Sequence, residues 1–170
     1  IPILSILDTV KTGFGNTLKS IGLLIIVGTT LGIYLEKTGC ATVIAEYLLR
    51  KTGKKNTPLA LSLTGFIVGL PVFCDSGYIV LSGIAKSLTQ QTRIHILTLA
   101  GTLSTALYAV HCLLPPHPGM SAAAAQLDIN LGILILIGIF FAIPATAVGY
   151  FWTLYSSKNY SFQPNEVEHE

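Results

Sequence analysis

The 170 residues include 51% apolar and only 11% charged side chains, with a net charge of +2. Soluble domains carry about 25% charged residues, so the composition excludes an ordinary soluble domain and predicts a multi-pass membrane protein. The basic residues flank apolar segments and form no stripe, which argues against a nucleic-acid partner. The three cysteines are widely spaced and give neither a disulfide framework nor a metal-ligand spacing.

The first 55 residues contain two helical patterns. Residues 21–35 form a short apolar helix that carries Gly28 and Gly32, a spacing that permits close helix packing. Residues 40–49 are too short to span a membrane and end in basic residues, so we expect them to lie at the membrane surface. Residues 1–55 are therefore predicted to hold a scaffold-type transmembrane helix plus an interfacial helix.

Residues 57–85 are apolar apart from one acid, and they are interrupted around Pro71 and Gly77. Basic residues bracket this segment on both sides: Arg50, Lys51, Lys54, Lys55, Lys86 and Arg93. Cytoplasmic loops are enriched in Lys and Arg. A single span would separate the two basic clusters, whereas a re-entrant hairpin keeps both in the cytoplasm, so the charges favour the hairpin.

Residues 94–126 contain no charged side chain but are interrupted by a proline-rich motif. The prolines are Pro115, Pro116 and Pro118. Each lacks an N–H and pushes the preceding residue out of the α region, which predicts that a helix ends near Leu113. Broken backbone survives in a membrane only where protein or a water-filled cavity surrounds it, and transporters bind substrates at such breaks.

One alternative places the prolines outside the membrane. Residues 94–114 alone would form a helix about 31 Å long, enough to cross the bilayer. The apolar run at residues 120–127 favours the break within the membrane, because a surface loop has no need of it.

Residues 129–155 are uncharged and long enough for a transmembrane helix. Together with the hairpin and the broken helix they are predicted to form a transport-type region over residues 56–155. Residues 156–170 are polar, and we expect a disordered cytoplasmic tail. The predicted fold is an all-α polytopic membrane protein.

Asp75 is the only acidic residue between Glu46 and Asp128. A carboxylate near the bilayer centre costs about 2.5–3.5 kcal/mol on insertion scales, so such residues usually face a cavity and are functional. One interpretation is a proton-carrying or ion-coordinating acid at the hairpin tip. The other is a helix N-cap, since Asp accepts N–H bonds well. The two are not exclusive.

His111 and His117 flank the prolines. Imidazole titrates near neutrality, which suits proton coupling or a hydrogen bond to a carboxylate substrate; a structural hydrogen bond to a neighbouring carbonyl is the alternative for each. A metal pair is weakly indicated, with Asp75 as the one plausible third ligand and no evident general base. An intramembrane metal-dependent enzyme is thus the rival function, and a purely structural membrane module is the third. We expect no metal ion and no cofactor.

The two interruptions offer two helix N-termini, one at the hairpin tip and one after the prolines. Their free N–H groups carry partial positive charge and suit an anion, and neither motif contains Lys or Arg. The predicted substrate-binding residues are Cys74, Ser76, Gly77, His111, His117, Gly119 and Ser121. The predicted proton carriers are Asp75 and His117. The structural breaks are at Pro71, Pro115, Pro116 and Pro118.

Two motifs, Gly-Phe-Ile-Val-Gly-Leu-Pro-Val-Phe-Cys-Asp-Ser-Gly at residues 65–77 and His-Cys-Leu-Leu-Pro-Pro-His-Pro-Gly at residues 111–119, resemble the gluconate permease family of bacterial gluconate:proton symporters. The family has an acid followed by x-Gly in the first motif and His-Gly-Phe-Leu-Pro-Pro-His-Pro-Gly-Pro in the second. Cys112 and Met120 stand where the family has Gly and Pro, which leaves the substrate open.

The resemblance implies proton-driven uptake of gluconate or a related sugar acid or hydroxy acid across the bacterial inner membrane, and no enzyme activity. It further implies an ion-transporter superfamily fold with two inverted repeats, each with a re-entrant hairpin and a broken helix. Family members are considerably longer, so the chain is expected to be one half. The expected partners are a small organic anion, the lipid bilayer, the remaining half and, as a further option, a second copy in a homodimer.

Overall fold

The structure, a computed structural model, describes residues 3–160 apart from the side chains of Leu4, Ser20 and Leu24. This part of the chain forms eight α-helices and no β-strand, which confirms the predicted all-α fold. The helices are α1 (Ile3–Thr17), α2 (Leu23–Lys37), α3 (Cys40–Thr52), α4 (Thr57–Gly69), α5 (Cys74–Thr92), α6 (Ile96–Leu113), α7 (Pro118–Gln126) and α8 (Leu131–Ser156). Most of the predicted tail, residues 161–170, lies outside the described residues.

Helices α1 and α2 are joined by a π-helical segment, Leu18–Gly22. Gly22 has helical backbone angles, φ −58° and ψ −43°, so the chain continues from α1 into α2 without leaving the helical conformation. A single glycine lowers helix stability without ending a helix.

Helix α3 packs one face against α4 and α5. Its residues Ala41 and Ala45 are buried in the same apolar cluster as Leu61 and Leu81. Two alanines one turn apart let the helices approach closely. Helix α3 is therefore amphipathic, with one face in the core and the other exposed at Val43 and Tyr47; its location at the membrane surface stays a prediction.

Helices α4 and α5 form an antiparallel hairpin, because Thr57 at the start of α4 lines the same cleft as Gln91 near the end of α5. Helix α4 ends before Pro71, which has no N–H to continue the helical hydrogen bonds. The backbone is extended at Phe73, with φ −61° and ψ 140°, and α5 starts at the next residue. The turn of this hairpin lies at residues 70–73; its re-entrant placement in the membrane stays a prediction.

The second interruption separates α6 from α7. Helix α6 ends at Leu113, as predicted, and Leu114 is extended with φ −123° and ψ 144°, the conformation favoured before proline. The Pro115–Pro116 peptide bond is cis. Helix α7 then begins with Pro118 at its first position, where proline is well tolerated.

The core lies among α4, α5 and α6, where Leu61, Leu81, Leu99, Leu103 and Leu107 are almost completely buried. Helix α8 packs antiparallel to α6, since Gly101 faces Thr153 while Gly149 faces Thr105. Two helical stretches, Ile96–Gln126 and Leu131–Asn159, are long and apolar enough to cross a membrane. The outer face of α8 exposes large apolar side chains, among them Leu136 and Phe140, as expected for a lipid-facing helix.

Candidate functional site

The two interruptions meet. Residues 69–73 from the hairpin and Leu114, Pro116 and His117 from the broken helix line one small cavity of about 10 Å³. A cavity of this size holds at most one water molecule. The structure thus brings together the two motifs that are 40 residues apart in the sequence, and it presents them in close contact.

Three rings form the contact between the motifs. The ring of His111 packs edge-on against Phe73, with centroids 5.8 Å apart, and against His117, with centroids 4.3 Å apart. His111 comes from the last turn of α6, Phe73 precedes α5 and His117 precedes α7. The histidine at the end of one helix therefore connects the starts of two others.

His117 is the N-cap of α7. Its Nδ1 accepts a hydrogen bond from the N–H of Gly119 at 3.1 Å. A nitrogen that accepts cannot carry a proton, so the hydrogen-bond network assigns the neutral tautomer with its proton on Nε2. The structural alternative for His117 was a bond to a carbonyl; the partner is instead an N–H.

Some of the N–H groups predicted to bind an anion already donate hydrogen bonds within the protein. The N–H of Gly119 donates to His117, and the N–H of Ser121 donates to the carbonyl of His117 at 3.0 Å. Likewise, the N–H of Gly77 donates to the carbonyl of Phe73 at 2.9 Å. Helix α5 has no side-chain cap, so the N–H groups of its first three residues, from Cys74 to Ser76, have no helical acceptor.

Asp75 lies in the first turn of α5, while the N-cap position belongs to Phe73. The N-cap interpretation of Asp75 is therefore wrong. Its exposed carboxylate complements the helix dipole and accepts a weak hydrogen bond from the thiol of Cys74, with Sγ and Oδ1 3.6 Å apart.

Asp75 borders a second, larger cavity. This groove, of about 850 Å³, lies between α5, α6 and α8, and none of its lining residues lines the small cavity. Its polar groups include Tyr78, Ser104, Thr105 and Tyr108 beside Cys74 and Asp75. The volume falls in the range of small-molecule sites. The two proton-carrying candidates, Asp75 and His117, thus face different spaces on either side of the hairpin tip.

Ser121 occupies the first turns of α7 and is only 1% exposed. Within residues 3–160 its hydroxyl has no hydrogen-bond partner. A buried hydroxyl without a partner is costly and calls for an explanation. Of the other predicted binding residues, Ser76 is half-buried, and Gly77 is buried against Leu107 and serves packing.

The proline break packs against α8. The carbonyl oxygen of Leu113 would be 2.5 Å from a Cβ on Gly138. Gly138 is the eighth of the 26 residues of α8, about 10 Å from its first residue. The break therefore lies beside α8, within its length; its position inside the membrane stays a prediction.

Sequence reasoning missed the role of α2. Its residues Gly28 and Gly32 contact Pro116 and Pro71, so one helix touches both interruptions. The glycine spacing was visible, but it suggested a helix partner. It also missed His95, which caps α6 by accepting from the N–H of Leu97 at 3.1 Å.

A metal site needs a third ligand near His111 and His117. Asp75, the candidate, borders the groove instead of the small cavity. Within residues 3–160 no group of three His, Cys, Asp or Glu side chains is placed to hold a metal ion. The geometry gives no support to a metal-dependent enzyme.

Opposed helix breaks between apolar helices are the architecture of membrane transporters. Residues 1–169 match the family described as GntP family permease, and the chain belongs to this family. This family consists of permeases, which confirms the resemblance found in the sequence and gives no support to an enzyme.

Three relatives illustrate the similarity. The inner membrane permease YgbN of Escherichia coli K12 is 40% identical over 139 residues, which cover 82% of this chain and 31% of that protein. The Gnt-II system L-idonate transporter of the same strain is 33% identical over 144 residues, 85% of this chain and 33% of that protein. The gluconate permease of Bacillus subtilis 168 is 32% identical over 158 residues, 92% of this chain and 35% of that protein. The chain thus spans about a third of these relatives. No solved structure matches it.

Proposed function

We propose that the chain is the part of a secondary active transporter that brings gluconate, or a related sugar acid or hydroxy acid, into the cell together with protons. The meeting of the two helix breaks at Phe73, His111 and His117 is the observation that carries this proposal. Relatives named for gluconate and for L-idonate support the substrate class, because both compounds are carboxylates with several hydroxyl groups.

The substrate carboxylate binds between the N-termini of α5 and α7. The first three N–H groups of α5 have no helical acceptor, and no side chain caps them. Partial positive charge at both helix ends replaces a buried Lys or Arg. The cavity of about 10 Å³ is far smaller than a sugar acid, so binding requires the hairpin and the broken helix to separate. Alternating access follows from this movement against the remaining helices.

His117 carries the coupled proton. Neutral His117 accepts from the N–H of Gly119, whereas protonated histidine has donors on both nitrogens. Protonation therefore breaks the cap, frees the N–H of Gly119 and adds a positive charge at the start of α7. All three changes favour a carboxylate, so proton and anion promote each other's binding by linkage. Asp75 in the adjoining groove is the other candidate.

The complete transporter resides in the bacterial inner membrane as a multi-pass protein. The remaining part of the polypeptide completes it, since the aligned relatives are about three times longer than the matched region. A homodimer is a further arrangement of the complete protein.

Uptake of labelled gluconate into proteoliposomes that hold the intact parent transporter tests this function. An inward proton gradient should accelerate uptake and drive accumulation above the outside concentration. Asp75→Asn is measured in parallel. Accumulation that survives this variant assigns the proton to a histidine, and accumulation that is lost makes Asp75 the coupling acid. If the gradient has no effect, symport with protons is wrong. If neither gluconate nor other hydroxy acids enter, the proposed substrate class is wrong.

A further inference from the structure

A cleft of about 630 Å³ opens between α3 and α5, at the end of the bundle where α4 begins. Its apolar surface comes from Leu49 on α3 and from Ile84 and Leu88 on α5. Its opening carries two cations, Arg50 and Lys54. The cleft is about 20 Å from the helix breaks along α4, a 13-residue helix, so it takes no part in the site described above.

The lining of the cleft carries a net positive charge. Within residues 3–160 no ion pair involves Arg50 or Lys54, and Lys51 and Lys55 lie exposed beside them. Glu46 is the one acid that lines the cleft. Two cations against one carboxylate leave one net positive charge among the lining residues, which also include apolar side chains. Water solvates the cations well, but it is a poor partner for Leu49, Ile84 and Leu88, which form the apolar floor of the cleft.

The cleft lies at one end of the helices. The end of α3, the start of α4 and the end of α5 meet there, and Gly101 facing Thr153 brings the end of α8 with Lys158 to the same side. This is the end that the distribution of Lys and Arg predicts to be cytoplasmic. The cytoplasmic leaflet carries anionic lipids, and basic pockets between helices on that side bind their head groups.

We propose that this cleft binds an anionic phospholipid. The phosphate contacts Arg50 and Lys54, and an acyl chain lies along Leu49, Ile84 and Leu88. A soluble anion would be attracted by the same cations, but it would leave the apolar floor uncovered. The combination of a cationic opening with an apolar floor matches a lipid molecule and fits neither a soluble phosphate nor a hydrocarbon. This site is independent of the proposed transport function.

Two kinds of variant separate the contributions of charge and floor. Arg50→Gln combined with Lys54→Gln removes the cations. Gly83→Leu fills the floor, because a Cβ at Gly83 meets no atom within 4 Å and the residue lines the cleft; leucine is also the better helix former. Lys11→Gln combined with Lys19→Gln is the matched control, since it removes the same charge from α1 and the π-helical segment.

Native mass spectrometry of the intact parent transporter in detergent measures binding of phosphatidylglycerol, with phosphatidylethanolamine and inorganic phosphate as competing probes. We expect phosphatidylglycerol to bind preferentially. The Arg50/Lys54 double variant should weaken it about thirtyfold, at roughly a factor of five for each cation. Gly83→Leu should also weaken it, while the Lys11/Lys19 control should not.

Equal weakening in the control variant would overturn the proposal, because the effect would then follow net charge alone. Equal binding of phosphatidylethanolamine would overturn the preference for an anionic lipid. Displacement of the lipid by inorganic phosphate at similar concentration would assign the cleft to a soluble anion. Unchanged binding in Gly83→Leu, with a folded protein by circular dichroism, would exclude the floor as the acyl-chain contact.

Discussion

Gly28 lies against Pro116 with no room for a side chain: a Cβ on Gly28 would be 2.8 Å from the Cβ of the proline. One turn further along α2, a Cβ on Gly32 would be 3.0 Å from the carbonyl oxygen of Pro71. The same face of α2 therefore supports both helix breaks. If one helix break moves along α2, its position relative to the other helix break changes.

Gly28→Ala should impair transport and destabilise the protein. The proline ring is rigid, so the added methyl group must push the break away from α2, at a cost of about 1–3 kcal/mol for overpacking. Melting temperature and gluconate uptake of the intact parent transporter measure the two effects. Gly83→Ala is the control, because that site is open, and it should stabilise α5 by roughly 0.5–1 kcal/mol. Equal behaviour of the two variants would contradict the packing role of Gly28.

His117→Asn should uncouple transport from the proton. Asparagine is a strong N-cap that accepts from the N–H of Gly119, but it does not titrate. Exchange of labelled for unlabelled gluconate across the liposome membrane should persist, while accumulation driven by a proton gradient should be lost. His117→Ala additionally removes the cap and should cost about 1 kcal/mol of stability. Gradient-driven accumulation by the asparagine variant would move the proton to another group.

Ser121→Ala should weaken substrate binding without loss of stability. Removing a buried hydroxyl that lacks a partner avoids a desolvation cost of about 1–3 kcal/mol, so the melting temperature should stay level or rise. Thr146→Val is the matched control, because the hydroxyl of Thr146 is also buried without a partner among the described residues. The control should gain stability and keep the wild-type KM for gluconate. An unchanged KM in Ser121→Ala would make its hydroxyl irrelevant to the substrate.

Gly101→Ala should loosen α6 from α8, and Thr153→Ser should restore the contact. A Cβ on Gly101 would lie 2.6 Å from the Cγ2 of Thr153, the methyl group that serine lacks. We expect a loss of about 1–3 kcal/mol in the single variant and recovery of most of it in the double variant. Thermal unfolding of the wild type, the two single variants and the double variant measures the interaction energy between the two residues. Additive effects would show that the two residues are not in contact.

The sequence was most informative where proline dictates the backbone. The end of α6 at Leu113 and the turn of the hairpin near Pro71 follow from missing N–H groups, which act locally. The packing partners of the helices could not be predicted from the sequence. The local sequence does not show that Gly28 contacts a proline instead of a helix. It also does not show that Ala45 lies in the core, or that Asp75 and His117 face different cavities. These features depend on how distant segments pack, and an apolar pattern in a membrane protein marks lipid-facing and core positions alike.

The cap of α6 has a mechanical consequence. The ring of His95 packs against Tyr160, with centroids 5.6 Å apart, just beyond the end of α8. Together with the glycine contacts along their length, this ring contact joins α6 to α8 at the end remote from the breaks. Helix α7 makes fewer contacts with the other helices. Residues 114–117 lead into it, and residues 127–130 connect its far end to α8. If the two breaks separate as proposed above, we expect the backbone to turn in the four residues before Pro118.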